Sequence, residues 1–342
     1  MRSVRDIFIL VLCLFAVVRV FAQVILPDNM EDADCSTEVD AMDWGVQVHW
    51  SSSVNTVSNL NIPLVGDLDD DGHPEILCFS FAGQSYTPGY GDFDNQLLVF
   101  DGVTKQQKAV ITMESPVSAY DAAAYGLVRT SNGVGLIVTA NCDNKLRAYD
   151  ITSPNPNTPY WVSDVNYGSG DDNYAVNVSF ADFNGDGNPE VFVRNKVYNA
   201  ENGKLLAAAS TANTGSSYAH YSHLTRRKLS SPIAADICGD SRPELILGNE
   251  IYEVTITNTD GTSGNSLTLV KKTNPPGYVP IDGHPQVADF NQDGHLDIFI
   301  SIRNEYGTVY CYVWDVYNNT VSSPLGISTS FSGKSISPPS AA

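Results

Sequence analysis

The chain reads DLDDDGHPE at residues 67–75 and repeats this nine-residue pattern as DFNGDGNPE at 182–190, DICGDSRPE at 236–244 and DFNQDGHLD at 289–297. We call these segments the first, second, third and fourth loops. Oxygen-bearing side chains stand at positions 1, 5 and 9 of every loop and at position 3 of three of them. A glycine at position 6 of three loops permits a sharp turn that directs the next carbonyl inward. One such segment is typical of an ordinary polar turn, but four in register indicate a shared ligand.

Calcium is the predicted ligand, because Ca²⁺ takes six to eight oxygens at about 2.3–2.6 Å and a tight acidic loop supplies them. We expect three or four structural Ca²⁺ ions. The third loop is expected to be weak, since Cys238 replaces the oxygen at position 3 and Ser241 the glycine at position 6. Position 7 is expected to contribute its backbone carbonyl, through His73, Asn188, Arg242 and His295. The predicted metal residues are Asp67, Asp69, Asp71, His73, Glu75, Asp182, Asn184, Asp186, Asn188, Glu190, Asp236, Asp240, Arg242, Glu244, Asp289, Asn291, Asp293, His295 and Asp297.

An EF-hand does not fit these loops. That loop requires a bidentate glutamate at position 12, between two helices. Position 12 is instead occupied by Cys78, Val193, Leu247 and Ile300, and the acid comes three residues earlier. The segments that follow the loops are short, apolar and rich in β-branched residues. We therefore predict that the loops connect β-strands.

A second element recurs out of phase with the loops, about every 50 to 58 residues. It reads NQLLVFDG from Asn95, NKLRAYDI from Asn144, NKVYNAENG from Asn195, NEIYEV from Asn249 and GTVYCYVWDV from Gly307. Each copy is a polar turn followed by an alternating apolar strand. The first two loops are two periods apart, so one unit lacks a loop, and we place its vestige in PVSAYDAAAYG at 116–126. Five units with several short strands each predict an all-β fold, a β-propeller of four-stranded blades.

The loops carry a family resemblance. Dx[DN]xDGxx[DE] followed by an apolar strand resembles the FG-GAP/VCBS repeat of integrin-alpha-like β-propellers, which is common in secreted bacterial proteins. The resemblance covers about Asn61 to the C-terminus. It implies a propeller, typically of about seven blades, with Ca²⁺ held in loops between adjacent strands. Since only five repeats are visible, we expect a fragment of a longer propeller protein. The alternative is a five-bladed ring closed by its last segment.

The N-terminus predicts export. Residues 1–22 combine a basic start, an apolar run and a small-residue cleavage site near Ala22, as in a signal peptide. No segment is long and apolar enough to be transmembrane. Residues 23–60 form a lead-in that contributes ring-closing strands, and 61–342 form the repeats. We expect a secreted, periplasmic or cell-surface protein.

Charge and cysteine content exclude several classes of partner. The formal net charge is -20, which argues against nucleic acid. The cysteines that follow the predicted signal peptide lack the paired spacing of a zinc site. The sequence leaves open whether they form disulfides; they are Cys35, Cys78, Cys142, Cys238 and Cys311.

No catalytic constellation is visible, so we do not expect an enzyme. One basic cluster, AHYSHLTRRK at 219–228, is interpreted as a solvated loop or as a grip for an anionic polysaccharide. Aromatic residues in two polar loops are interpreted as platforms for sugars or a protein, or as blade-edge packing; they are Tyr86, Tyr90, Phe93, Tyr160, Trp161, Tyr167 and Tyr174. The sequence favours a calcium-stabilised binding or adhesion module for a protein or polysaccharide ligand. The alternative is a lyase-like polysaccharide-active enzyme, or the scaffold domain of one.

Overall fold

A computed structural model describes residues 50–51, 62–80, 93–118, 124–168, 176–222, 225–274, 282–303, 309–323 and 325–327. The chain divides into two compact units, Met1–Ser51 and Ser52–Ala342, and every strand below lies in the second. The predicted signal peptide, most of the lead-in and the last residues lie outside the described ranges. Every regular element within those ranges is a β-strand. The same ranges contain no helix that is long and apolar enough to cross a membrane. The predicted all-β class is confirmed.

Within the described ranges, five antiparallel sheets follow one another along the chain, and each contains four consecutive strands in chain order. The first sheet contains β1 (Leu64–Gly66), β2 (Glu75–Ser80), β3 (Phe93–Asp101) and β4 (Gln107–Ser118). The second contains β5 (Tyr125–Arg129), β6 (Gly135–Ala140), β7 (Leu146–Tyr149) and β8 (Trp161–Val162). The third contains β9 (Ser179–Ala181), β10 (Glu190–Val193), β11 (Lys196–Asn199) and β12 (Leu205–Ala208).

A hairpin of β13 (Ser216–Ser222) and β14 (Thr225–Ser230) comes next. The fourth sheet contains β15 (Ile233–Ala235), β16 (Glu244–Leu247), β17 (Glu250–Thr255) and β18 (Ser266–Lys272). The fifth contains β19 (His284–Ala288), β20 (Asp297–Arg303), β21 (Val309–Asp315) and β22 (Thr320–Val321), and β23 (Leu325–Ile327) also pairs with β21. The second sequence repeat supplies the third strand of each sheet, so the prediction of five repeating units is confirmed.

The strands read as continuous apolar runs because the inner sheets are buried on both faces. In β10, Val191 and Val193 belong to a hydrophobic cluster shared with the second sheet, whereas Phe192 belongs to one shared with the fourth. In β16, Leu245 faces the third sheet and Ile246 the fifth. Four such clusters join the five sheets in chain order. Each sheet is therefore held by its neighbours rather than by a core of its own.

Small residues mark the close approach of successive first strands. A Cβ added to Gly66, at the end of β1, would lie 2.8 Å from Leu127 Cδ1 in β5. One added to Gly126 in β5 would lie 2.4 Å from the ring of Phe180 in β9. A side chain at either glycine would require Leu127 or Phe180 to shift. The first strands of the first three sheets therefore lie next to each other.

The four acidic loops occupy one equivalent connection, between the first and second strands of their sheets. In the second sheet this connection is the short turn from Thr130 to Val134, closed by hydrogen bonds between these two residues. The vestige predicted at 116–126 was wrong, because that segment runs from the end of β4 into β5. Residues 119–123 within it lie outside the described part. This turn begins at Thr130, a few residues more than one period after the start of the first loop at Asp67.

The hairpin β13–β14 lies between the third and fourth sheets in the sequence, and hydrogen bonds connect it to the fifth sheet. The buried carboxylate of Asp282, just before β19, accepts hydrogen bonds from the backbone N–H groups of Thr214, Gly215 and Ser216. His284 in β19 donates from Nε2 to the Leu229 carbonyl at 2.9 Å. The basic cluster at 219–228 thus belongs to a hairpin rather than to a loop between sheets, and its side chains lie outside the described part.

Candidate metal centre

All four loops adopt the same backbone. Positions 4 and 6 both have left-handed φ angles, between 60° and 89°. Gly72, Gly187 and Gly294 at position 6 have open space where a Cβ would stand, so glycine is favoured there by its φ and not by crowding. Ser241 adopts the same conformation at φ 70°. The third loop therefore keeps the fold of the others despite its altered sequence.

A shared hydrogen-bond frame shapes each loop. The aspartate at position 1 accepts the N–H of position 6, at distances from 2.8 to 3.1 Å in the four loops. The aspartate at position 5 accepts the N–H of position 7, at 2.7 to 3.0 Å. Each of these carboxylates keeps its remaining lone pairs for a further partner. The sequence predicted positions 1 and 5 as ligands, and the frame shows that they also build the turn.

The acid at position 9 is buried in every loop. The exposed fraction is 0% for Glu75, 4% for Glu190, 3% for Glu244 and 1% for Asp297. Each accepts the backbone N–H of position 2 with one oxygen, at 2.7 to 3.1 Å. Burial and the neighbouring aspartates raise the pKa of Glu190 to about 7, and burial likewise raises the pKa of Glu244 and of Asp297. A cation among these acids would reverse that effect.

The second and fourth loops place an asparagine amide among the acids. Asn184 Nδ2 lies 3.0 Å from Asp186 Oδ2 and 3.3 Å from Glu190 Oε1. Asn291 Nδ2 lies 3.2 Å from Asp293 Oδ2 and 3.3 Å from Asp315 Oδ2. The amide oxygen of each asparagine accepts the backbone N–H of the position-5 aspartate at 2.9 Å, and rotation of the amide would exchange this hydrogen bond for a contact with a cation.

Two carboxylate oxygens of these loops are buried without a hydrogen-bond partner among the described residues: Asp69 Oδ1 and Asp297 Oδ1. A buried, unsatisfied carboxylate oxygen is unfavourable unless a cation or donor reaches it. The donor set consists of hard oxygens, as calcium requires. Asp297 lies in the fourth loop, where no ammonium or guanidinium contacts the acids in the described part. The residues of this loop fit a bound calcium ion.

The third loop brings its acids together more closely than its sequence suggested. One oxygen from each of Asp236, Asp240 and Glu244 lies within 4.8 Å of the others. Arg242 turns back to Asp240 Oδ2 at 3.2 Å and to Glu253 at 3.7 Å. The Cys238 N–H donates to Glu244 Oε2 at 3.1 Å, so position 3 of this loop supplies a hydrogen-bond donor and no side-chain oxygen.

The first loop gathers Asp67, Asp69 and Asp71 within the same 4.8 Å limit, but around an internal cation. Lys108 Nζ, from β4, lies 2.5 Å from Asp69 Oδ2 and 2.8 Å from Glu75 Oε1. Burial lowers the pKa of Lys108, but its hydrogen bonds to Asp69 and Glu75 outweigh burial and raise it above its usual range. The ammonium is therefore held charged among the predicted calcium ligands.

Sequence reasoning missed one group beside each loop. The residue that ends the third strand lies across the ladder from the position-9 acid, as Asp101 does from Glu75 and Asn199 from Glu190. The same register brings Glu253 beside the third loop and Asp315 beside the fourth. Each of these side chains bears an oxygen. The sequence did contain a signal for them, because every copy of the second repeat has an acid or an amide near its end. Asp101 and Asp315 also accept backbone N–H groups of the following turn.

The aromatic residues divide into core and surface. Trp161 and Tyr167 are buried. Trp161 donates a hydrogen bond from Nε1 to the Ala200 carbonyl, and the Tyr167 hydroxyl donates one to the Asn141 carbonyl. Tyr160 is 46% exposed. It lines an open cavity of about 300 Å³ whose other walls are Asp150, Ser153, Pro154, Asn155, Thr158 and Pro159. Tyr86, Tyr90 and Tyr174, and the side chain of Phe93, lie outside the described part.

No protein-family model matches the sequence, and no curated protein matches it. Solved structures do resemble its fold. The V. cholerae biofilm matrix protein Bap1 matches 84% of this chain with a TM-score of 0.52 at 18% identity. Rhamnogalacturonan lyase YesW matches 79% of this chain with a TM-score of 0.40 at 14% identity. The Pseudomonas aeruginosa PilY1 C-terminal domain matches 75% of this chain with a TM-score of 0.40 at 12% identity.

The chain spans 43% of the length of Bap1, 53% of YesW and 70% of the PilY1 domain. At 18% identity, the similarity to Bap1 concerns the fold alone. It agrees with the all-β architecture of the described sheets.

Proposed function

We propose that this protein is an exported β-propeller of the FG-GAP/VCBS type, stabilised by calcium, that acts as a binding or adhesion module for a protein or a glycan. One observation carries the proposal: four acidic loops with one backbone and one hydrogen-bond frame occupy the same connection of four stacked sheets. A turn without a ligand has no need of this repetition. Loops that hold structural metal ions do.

The acids of these loops support calcium as the ligand. Each loop combines a buried acid at position 9 with aspartates at positions 1 and 5, and the second and fourth loops contain no lysine or arginine. Like charges at this separation destabilise the folded loop unless a cation offsets them. Calcium binding therefore adds directly to the free energy of unfolding.

The stacking of the sheets supports the propeller. Successive sheets share hydrophobic clusters, and Gly66 and Gly126 in the first strands of the first two sheets make room for side chains of the next first strand. Four-stranded meanders that stack around their first strands are the blades of a propeller. We propose that the described sheets are five blades of such a ring.

Export is part of the proposal through the signal peptide predicted at residues 1–22, with cleavage near Ala22. Calcium loops of extracellular modules bind at about 10⁻⁴–10⁻³ M, which suits the high calcium concentration outside cells. The module is therefore proposed to be filled after export.

The cavity at Tyr160 is the proposed recognition surface. Its aromatic side chain is exposed, and Asp150, Ser153, Asn155 and Thr158 surround it with hydrogen-bonding groups. An exposed aromatic ring beside polar side chains offers both a stacking face and hydrogen bonds, which suits a sugar ring. We therefore favour a glycan over a protein as the ligand.

The test is binding of the mature chain to arrayed neutral and acidic glycans in the presence of calcium. Replacement of Tyr160 by alanine is expected to weaken binding at least tenfold, because it removes the aromatic face. Val162→Ala is the matched control, because Val162 lies two residues after Tyr160 and is 43% exposed but does not line the cavity.

Three outcomes would contradict the proposal. Equal loss of binding in both variants would move recognition away from the cavity. Binding to proteins alone would remove the glycan. Release of cleaved glycan by the purified chain would favour the lyase-like alternative over a binding module.

A further inference from the structure

The first loop already contains a cation, and that cation is a side chain of the chain itself. Lys108 Nζ makes contacts with three of the four acidic side chains that the calcium pattern assigns to this loop: Asp69 at 2.5 Å, Glu75 at 2.8 Å and Asp71 at 3.6 Å. Lys108 stands 33 residues beyond Glu75, on the outer strand of the same sheet.

The contacts match what an ammonium needs. It has three N–H donors and accepts none, and it meets two acceptors at hydrogen-bond distance and a third carboxylate slightly farther away. One of those acceptors, Glu75, is completely buried. A buried carboxylate paired with a hydrogen-bonded ammonium is stable, whereas either charge alone in the same place is not.

The second and fourth loops differ at the same point. There the group among the acids is the amide of Asn184 or Asn291, which carries an oxygen as well as an N–H₂ group. Rotation of the amide converts a donor into a calcium ligand without moving the backbone. Lys108 has no oxygen to offer, and its positive charge repels Ca²⁺ at any position within the loop.

We propose that Lys108 replaces calcium in the first loop as a tethered ammonium, so that this loop is folded without metal and the calcium dependence of the protein resides in the later loops. The loop with the most acids is then the one that does not bind. This inference rests on the proposed function only for the later loops, because the contacts of Lys108 stand without them.

Calcium titration by calorimetry tests the inference through the number of ions bound. Lys108→Met keeps the length of the side chain and removes the charge. This variant is expected to bind one more Ca²⁺ ion than the wild-type chain and to become less stable than the wild type when calcium is removed. Lys204→Met is the matched control, because Lys204 pairs with Asp260 rather than with a loop acid, and its ion count is expected to be unchanged.

A second comparison leaves Lys108 in place. Asp71→Asn in the first loop is expected to leave the ion count of the wild-type chain unchanged, whereas Asp186→Asn at the same position of the second loop lowers it by one. A loss of one ion in Asp71→Asn, or an unchanged count in a folded Lys108→Met, overturns the inference. If the wild type binds no calcium, the proposed function fails, yet a single ion gained by Lys108→Met still supports the role of Lys108.

Discussion

A buried carboxylate anchors each loop from the side of the sheet. The acid at position 9 is the first residue of the second strand, so it lies in the ladder while its side chain accepts the N–H of position 2. This contact links the beginning of the loop to its end. Removal of the acid would leave that N–H buried without a partner, at a cost of about 1–3 kcal/mol. The residue is thus structural even before a metal is considered.

His284 is a second buried ionisable residue, and it predicts how stability depends on pH. Burial lowers the pKa of His284 to about 4, and the hydrogen bond from Nε2–H to the Leu229 carbonyl only partly offsets this shift. Between pH 6.5 and 4 the unfolded chain binds a proton that the folded chain refuses. The free energy of unfolding therefore falls as the pH drops through this window, by about 3 kcal/mol at most for this residue.

Urea unfolding at pH 7 and pH 4.5 in the absence of calcium measures this effect. Burial also raises the pKa of Glu190, Glu244 and Asp297, so the wild type must be compared with His284→Gln, which keeps a donor for Leu229 but cannot be protonated. We expect a smaller pH dependence in that variant. His73→Gln, at an exposed histidine, is the control and should match the wild type. Equal slopes in all three proteins would refute the role of His284.

The residues of the candidate site were only partly predictable from the sequence. Positions 1, 5 and 9 follow from repetition, because a ligand pattern in one loop recurs at fixed spacing. Lys108 could not be found in this way, since it reaches the first loop through the pairing of β3 with β4 rather than through local sequence. The left-handed φ at position 4 was also missed, because Asp70 and Gln292 adopt it where glycine stands in the other two loops.

At the scale of the element, each loop is a rigid turn with two left-handed residues. L-amino acids other than glycine lose about 1–2 kcal/mol in this conformation. Gly187→Ala is therefore expected to lower the free energy of unfolding by about 1 kcal/mol and to weaken calcium binding by the second loop. The reverse change, Ser241→Gly, is expected to raise the stability of the third loop by a few tenths of a kcal/mol.

Gly133→Ala is the control for these changes. Gly133 has a φ of 87° with open space around it, but it lies in the turn of the second sheet, which has no acidic loop. Chemical denaturation and calcium titration of the three variants separate strain from binding. The alanine at Gly133 should cost similar stability and leave calcium affinity unchanged. A calcium affinity unaffected by Gly187→Ala would contradict the metal assignment of the second loop.

The strands themselves were more predictable than the sheets they form. Short apolar runs after each loop identified β2, β10, β16 and β20, and the second repeat identified the third strand of each sheet. The hairpin β13–β14 was missed, because its polar residues pair with each other and are held by the distant Asp282 instead of by an apolar face. Polar strands of this kind carry no periodic signal.

At the scale of the whole molecule, the loops and the stacked sheets depend on each other. Arg129, at the end of β5, donates to the Asp67 carbonyl at the start of the first loop. Leu68, at position 2 of that loop, belongs to the cluster between the first two sheets, and Ile237 belongs to the cluster between the fourth and fifth. A disordered loop therefore withdraws apolar side chains from the contact between two sheets. Loss of metal should therefore also weaken the packing between the sheets.

Thermal unfolding of the mature chain tests this dependence. If the second and fourth loops are each saturated at about 100 times their dissociation constant, calcium adds about 5 kcal/mol, and chelation lowers Tm by about 10–20 °C. Asp182→Ala combined with Asp289→Ala should abolish the response to calcium, whereas Asp260→Ala, at an exposed acid outside the loops, should keep it.

Restored calcium should return the wild-type Tm, because chelation removes a ligand without altering the chain. An unchanged Tm on chelation would mean that hydrogen bonds alone hold the four turns. Because the position-2 residues of the first three loops pack between sheets, the calcium-free chain should also unfold less cooperatively than the loaded one. A lower Tm with undiminished cooperativity would confine the effect of the metal to the loops and separate it from the stacking of the sheets.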